Sequence, residues 1–263
     1  MKKQLFATIL AGAMLALAAS SATAEMGKVK IGTEGAYPPF NSIDPSGKLV
    51  GFDIDIANAL CAAANLECEF VVQNWDGLIQ AMQPKKFDAI IASMSITPKR
   101  LEVVDFTDKY YNTPVKFMAA KGAGITEFTA DGLAGKKIGV QGSTTQEDFA
   151  RAKFPNAEVA TYQTQDEANA DLQSGRLDLV LADRVILQEG FLKTDAGACC
   201  ELVGPDYSDA KILGPGQGIA IRKGEKDLVD AFNAAIAKIR EDGTYKKIND
   251  QYFNFDVYGG PGM

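Results

Sequence analysis

Not one of the 263 residues is a histidine. That removes the side chain that most often ligates metals and most often moves protons near neutral pH. Four cysteines are present, but Cys61 and Cys68 are not in C-x-x-C spacing and Cys199 and Cys200 are adjacent, so no zinc or iron–sulfur pattern exists. The sequence also lacks a G-x-S-x-G elbow and any paired metal-ligand motif, which argues against an enzyme. No run of lysine or arginine supplies a basic face, and the net charge is -7, so a nucleic-acid partner is disfavoured. Beyond the first two dozen residues no apolar stretch approaches the roughly 20 needed to span a membrane.

What is present begins with an address. Lys2 and Lys3, an apolar stretch from Leu5 to Ala19 and then Ala22-Thr23-Ala24 follow the charged, hydrophobic and small-residue order of a secretory signal peptide, with cleavage expected after Ala24. Losing Lys2 and Lys3 shifts the net charge from -7 to -9. An exported chain sits in an oxidising compartment, where Cys61 and Cys68, seven positions apart, are expected to form a disulfide. For Cys199 and Cys200 both a vicinal bridge and two free thiols stay open. The roughly 239 residues that remain suit two cores better than one.

The most informative stretch is Asp88 to Arg100. Ala89 to Ala92 is a short continuous apolar run, as in a strand buried on both faces of a parallel sheet. Ser93 and Ser95 follow its carboxyl end, then Thr97 and Pro98 read as an N-cap and first helical residue, with Arg100 in the first turn. Ligands of open α/β sheets settle beyond the carboxyl ends of strands, so hydroxyls, a helix start and a guanidinium placed there suit a small carboxylate.

Further elements alternate in β-α-β order. Val29 to Thr33 reads as a strand, Pro45-Ser46-Gly47 as a hairpin turn, and Gly51 to Leu66 as a helix with Phe52, Ile56 and Leu60 on one face. A strand near Glu69 to Val72 and an amphipathic helix bearing Trp75, Leu78, Ile79 and Met82 lead to the Asp88 segment. After a crossing at Thr113-Pro114, a second set repeats the logic: strand Lys137 to Gln141, turn Gly142 to Thr145, helix Gln146 to Lys153, strand Glu158 to Tyr162, a Thr164/Glu167 capping box, and an apolar strand Leu177 to Ala182 ending in Asp183. The chain returns through Gly214-Pro215-Gly216 to a strand Gly218 to Ile221 and helices Glu225 to Glu241 and Thr244 to Tyr252, expected to cap the first block.

Several of these segments together, Gly32 to Phe40, Gly51 to Ile56, Asp88 to Arg100, Gly142-Ser143-Thr144, Gly175 to Asp178 with Asp183, and Asp242 to Tyr245, resemble the periplasmic solute-binding proteins of bacterial amino-acid ABC transporters, the lysine/arginine/ornithine and histidine binders especially. The resemblance implies an α/β fold of the two-lobed type II kind with two crossing hinge strands. Its expected parts are a signal peptide over 1–24, a first lobe from 25–112 plus 211–263, and a second lobe over 113–210. It implies a periplasmic, monomeric carrier without cofactor or metal that hands an amino acid to a membrane permease.

The same resemblance assigns the site. Arg100 with Ser143 and Thr144 would clamp the ligand α-carboxylate. Asp183 would hold the α-ammonium with groups around Ser93 and Ser95, Met94 between them contacting the ligand through its backbone or packing in the core, while Tyr37 and Trp75 would sandwich the side chain. Glu34 would meet a distal positive charge. Glu34 stands where aspartate is common in lysine binders, and Ala92 where serine is often found, which leaves arginine, ornithine and lysine open. Two rival readings remain: a binder of opines, and a periplasmic enzyme on the same fold using Glu34 or Asp183 as acid or base.

Overall fold

The computed structural model of the chain describes residues 27–259, so the signal peptide and its cleavage site lie outside the described residues. Two five-stranded mixed sheets organise the chain. In the first, Leu66–Val72, Gly27–Thr33 and Ala89–Ile90 run parallel and Gln217–Arg222 is antiparallel to Ala89–Ile90, with Val104–Tyr111 at the far edge. In the second, Glu158–Tyr162, Lys137–Gln141 and Leu179–Asp183 are parallel, followed by antiparallel Val115–Ala120 and Cys200–Tyr207. The chain passes between the sheets twice, through residues 112–114 and again through 208–216.

The helix expected from Gly51 forms as Phe52–Ala63, with Phe52, Ile56 and Leu60 wholly buried. Gly51 starts it at φ 125°, and a Cβ there would stand 2.3 Å from the Phe40 carbonyl oxygen, so only glycine fits. Asn65, at φ 55°, reverses the chain and lets the following strand begin at Leu66, earlier than the expected Glu69. Helices Lys226–Glu241 and Thr244–Tyr252 pack on Phe52–Ala63 and cover the first sheet, as their apolar faces predict. Phe40, Phe52, Tyr111 and Phe253 form an aromatic cluster in that core, with the Phe40 and Tyr111 rings stacked 4.5 Å apart.

Several elements depart from sequence expectation. Ala89–Ile90 is shorter than the expected Ala89–Ala92, because the backbone turns into the left-handed region at Ser93, φ 56°. Strands Val104–Tyr111, Val115–Ala120 and Cys200–Tyr207 and a π-helix over Ile186–Phe191 carried no anticipated signal. Both cysteine pairs are bridged: Cys61 joins the end of a helix to Cys68 on the next strand, and Cys199 joins Cys200. Among the described residues no helix is long and apolar enough to cross a membrane.

The two halves also meet away from the crossings. Val185 and Ile186 pack into the same core as Tyr37, Phe40 and Phe52. Gly190 lies so near the Pro38 carbonyl that a Cβ would come within 2.2 Å of its oxygen.

Candidate functional site

Where the two sheets face each other, the carboxyl ends of four parallel strands deliver polar side chains to one cleft. Glu34 follows Gly27–Thr33, Ser93 and Ser95 follow Ala89–Ile90, Gln141 ends Lys137–Gln141, and Asp183 ends Leu179–Asp183. Strand direction therefore puts the chemistry there, as in other open α/β sheets. The cleft is lined by Glu34, Tyr37, Trp75, Ala92, Ser93 and Ser95 from one side, with Arg100, Gln141, Thr144, Thr145, Gln146 and Asp183 completing it.

The helix starts form as their sequence implies. Thr97 caps Pro98–Leu101, its Oγ1 accepting from the Arg100 amide at 3.2 Å. Thr144 caps Thr145–Lys153 in the same way, accepting from the Glu147 amide at 3.2 Å. Half-buried Arg100 is held by its Nη1 donating 2.9 Å to the Ser95 carbonyl, and its guanidinium lies over the Trp75 ring, 5.2 Å from the centroid. Burial pushes its pKa down to about 10, which leaves it charged at neutral pH.

Both acids are deeply buried, Glu34 at 7% and Asp183 at 2% exposure. Desolvation raises each pKa to about 7. For Glu34 a 2.6 Å hydrogen bond from Gln141 Nε2 works against that rise, while the charges of Asp166 and Asp76 add to it. For Asp183, hydrogen bonds from the Tyr37 hydroxyl, at 2.8 Å, and from Gln146 work against it, as does the Arg100 charge. The Gln141–Glu34 and Tyr37–Asp183 bonds each join one half of the molecule to the other. Trp75 Nε1 adds a third by donating to the Ser143 carbonyl at 3.2 Å, and Ser95 and Thr145 hydroxyls lie 3.4 Å apart.

Of the residues proposed from sequence, eight line the cleft and two do not. Met94 is 1% exposed and packs among Leu78, Met82 and Phe87, because alternation along the segment sends it to the core side while Ser93 and Ser95 face the cavity. The Ser143 side chain points to solvent at a φ of 60°, and only its carbonyl reaches Trp75 and, at 3.5 Å, Arg100 Nη2. Sequence reasoning passed over Gln141, Thr145 and Gln146 as contributors. The strand-end rule that singled out Ser93 and Ser95 also applies to Gln141, and Thr145 and Gln146 open the helix that Thr144 caps. Among the described residues no cluster of histidine, cysteine or acids could hold a metal ion.

Comparison with known proteins agrees with this architecture. Residues 29–255 match the bacterial extracellular solute-binding proteins, family 3. An L-arginine-binding protein of Pseudomonas aeruginosa is 52% identical over 233 residues, covering 88% of this chain and 90% of the relative. A lysine/arginine/ornithine-binding periplasmic protein of Escherichia coli is 43% identical over 262 residues, covering 98% of this chain and 100% of the relative. Among solved structures, a Salmonella typhimurium periplasmic binding protein described for its high arginine specificity superposes with a TM-score of 0.79 at 34% identity, over 87% of this chain and 100% of the other. The fold is thus the two-lobed type II arrangement with its two crossing strands. With matching segments in one order along nearly the whole described length, the chain belongs to family 3 of the bacterial extracellular solute-binding proteins.

Proposed function

We propose that this chain is a periplasmic carrier that binds a basic amino acid, arginine foremost, in the cleft and delivers it to the permease of an ABC transporter. The observation that carries the ligand class is charge: two buried carboxylates, Glu34 and Asp183, share the cavity with one guanidinium, Arg100. Ionised, that set is one negative charge in excess, and a buried charge is costly unless paired. An amino acid with a cationic side chain has two positive groups and one negative and neutralises it. A neutral zwitterion leaves one carboxylate uncompensated.

In this reading Arg100 and the Thr144 helix start hold the α-carboxylate, a planar fork and backbone donors matching its two oxygens. Asp183 holds the α-ammonium, with Ser93 and Ser95 alongside. Tyr37 and Trp75 flank the aliphatic stem, and Glu34 meets the distal charge. The lobes are 25–112 with 211–263, and 113–210, closing about the two crossings so that only the closed form collects all the charge-assisted bonds. Residues 1–24 would act as the export signal, and the mature chain works as a monomer. The relatives' names, arginine-binding and lysine/arginine/ornithine-binding, support the ligand class. They also favour a binding role over an enzymatic one.

A thermal-shift screen over the natural amino acids and octopine-like conjugates, followed by calorimetry on the hits, tests it. A ligand at about 100 times its dissociation constant stabilises by about 2.7 kcal/mol. Arginine, ornithine or lysine should head the list. A neutral amino acid or a conjugate giving the largest shift, or a changed product after incubation, would refute the reading.

A further inference from the structure

Behind the cleft wall, and outside its lining, Asp53 is buried to 0% exposure, with no cation against it among the described residues. It sits in the first turn of Phe52–Ala63, and its amide donates to the Phe40 carbonyl at 2.7 Å. Three neutral donors converge on its carboxylate. The Tyr110 hydroxyl donates to Oδ1 at 2.8 Å, and Asn41 Nδ2 at 2.9 Å and the Ser93 hydroxyl at 3.0 Å both donate to Oδ2. A buried acid is an expensive choice for filling a core, so what these three donors do next is informative.

Each leads to the cleft. Asn41 turns its Oδ1 to accept from the Gly35 amide at 2.8 Å, which pins the turn immediately after Glu34. Gly35 is itself in the left-handed region, at φ 75°. Ser93, also left-handed at φ 56°, lines the cleft, and its amide donates to the Tyr110 hydroxyl at 3.1 Å. A serine in that conformation persists only where its surroundings hold it, and here one carboxylate and one tyrosine do so. The network thus reaches two separate parts of the wall, the Glu34 turn and the Ser93 turn, from a single buried point.

We propose that Asp53 is a positioning residue for ligand selection: through Asn41 and Gly35 it sets the Glu34 carboxylate, and through Ser93 and Tyr110 it sets the wall beside the ligand's ammonium. This rests on the reading of Glu34 as the partner of the ligand's distal charge. Asp53→Asn keeps the shape but turns one acceptor oxygen into a donor, so either the Tyr110 bond or the Asn41 and Ser93 bonds lose their acceptor. Removing the charge also affects Asp183, but the ammonium that Asp183 would hold is common to arginine and citrulline. The ratio of those two affinities therefore isolates the Glu34 arm.

Calorimetry on wild type, Asp53→Asn and Tyr110→Phe with arginine and with citrulline tests this, each variant's melting temperature being recorded alongside. Asp53→Asn should lose about tenfold in arginine affinity, the fold-change equivalent to one lost hydrogen bond to a charged group, and its arginine-over-citrulline preference should fall at least threefold. Tyr110→Phe, which removes the hydroxyl's bonds to Asp53 and Ser93 but leaves the Asn41 link to Gly35 in place, should weaken both ligands by a similar several-fold factor with the preference kept. A lowered melting temperature with both affinities within twofold of wild type would reduce Asp53 to a structural role and overturn the inference, as would an equal loss for both ligands. If Asp53→Asn does not fold, an unchanged Tyr110→Phe would overturn it. A wild-type chain without preference for arginine would refute the reading of Glu34 itself, whereas a preference that Asp53→Asn retains would refute only the role of Asp53.

Discussion

Arginine binding should be strongly proton-linked. Glu34 and Asp183 have pKa values of about 7 because burial disfavours their charged forms. A bound arginine would set a cation against each, which favours ionisation and drives both pKa values down. Each carboxylate that must lose a proton before pairing lowers the apparent affinity by the factor 1 + 10^(pKa − pH). With a pKa of about 7 this is roughly thirtyfold at a pH of about 5.5 and near unity at about 8.5. Both carboxylates together predict a loss of up to about a thousandfold as the pH falls across that window, the sign being weaker binding in acid. Citrulline, which engages Asp183 but brings no distal charge, should show about one carboxylate's slope. Calorimetry at three pH values, each in two buffers of different ionisation enthalpy, counts the protons released: approaching two per arginine and one per citrulline at the acid end, and close to none at the alkaline end. Arginine affinity constant within threefold across the range, with no proton release, would refute both the buried-acid electrostatics and the pairing built on them.

Other perturbations have separate signatures. Arg100→Ala should cost about 2–5 kcal/mol, at least thirtyfold in affinity, by stranding the ligand carboxylate; a calorimetric loss under threefold would contradict it. Glu34→Gln should weaken arginine far more than citrulline, and equal losses would remove Glu34 from the distal end. Gly190→Ala places a methyl group where 2.2 Å separates it from the Pro38 oxygen, so it should weaken every ligand while leaving the unfolding midpoint of the unliganded protein nearly unchanged; unaltered affinity would show that the two halves need not approach there. Replacing Cys61 and Cys68 together by serine should destabilise by about 2 kcal/mol from loop-closure entropy, seen as a lower denaturant midpoint. Arginine affinity should survive, because that bridge ties a helix end to a strand on the first sheet and no cysteine lines the cleft.

Much of this was legible in the chain because its signals are local. Thr97 and Thr164 are caps whose partners lie three residues on, and both form as read. The parallel strands announce themselves as short apolar runs, and the rule that ligands meet their carboxyl ends pointed to Ser93 and Ser95, while Asp183 came from the family resemblance. One antiparallel strand was hidden for a physical reason. Cys200–Tyr207 contains Gly204-Pro205, which reads as a break, yet it is the outermost strand of its sheet, where proline costs no ladder bond. The Ile186–Phe191 π-helix has no periodic signature to read. Gln141, Thr145 and Gln146 became cleft residues only when the second sheet was set opposite the first, a relation between distant segments that no local window contains. The Asp53 network is of the same kind, tying positions 35, 41, 93 and 110 to one oxygen pair.

Trp75 is the only indole in the chain, and it stands at the cleft with its nitrogen on the Ser143 carbonyl and a guanidinium over its face. The unlabelled protein therefore carries a built-in optical reporter at the mouth of its own site. Separation of the two halves would expose that ring to water and shift its emission to the red, and the intrinsic fluorescence of a single solution becomes a continuous readout of filling and emptying.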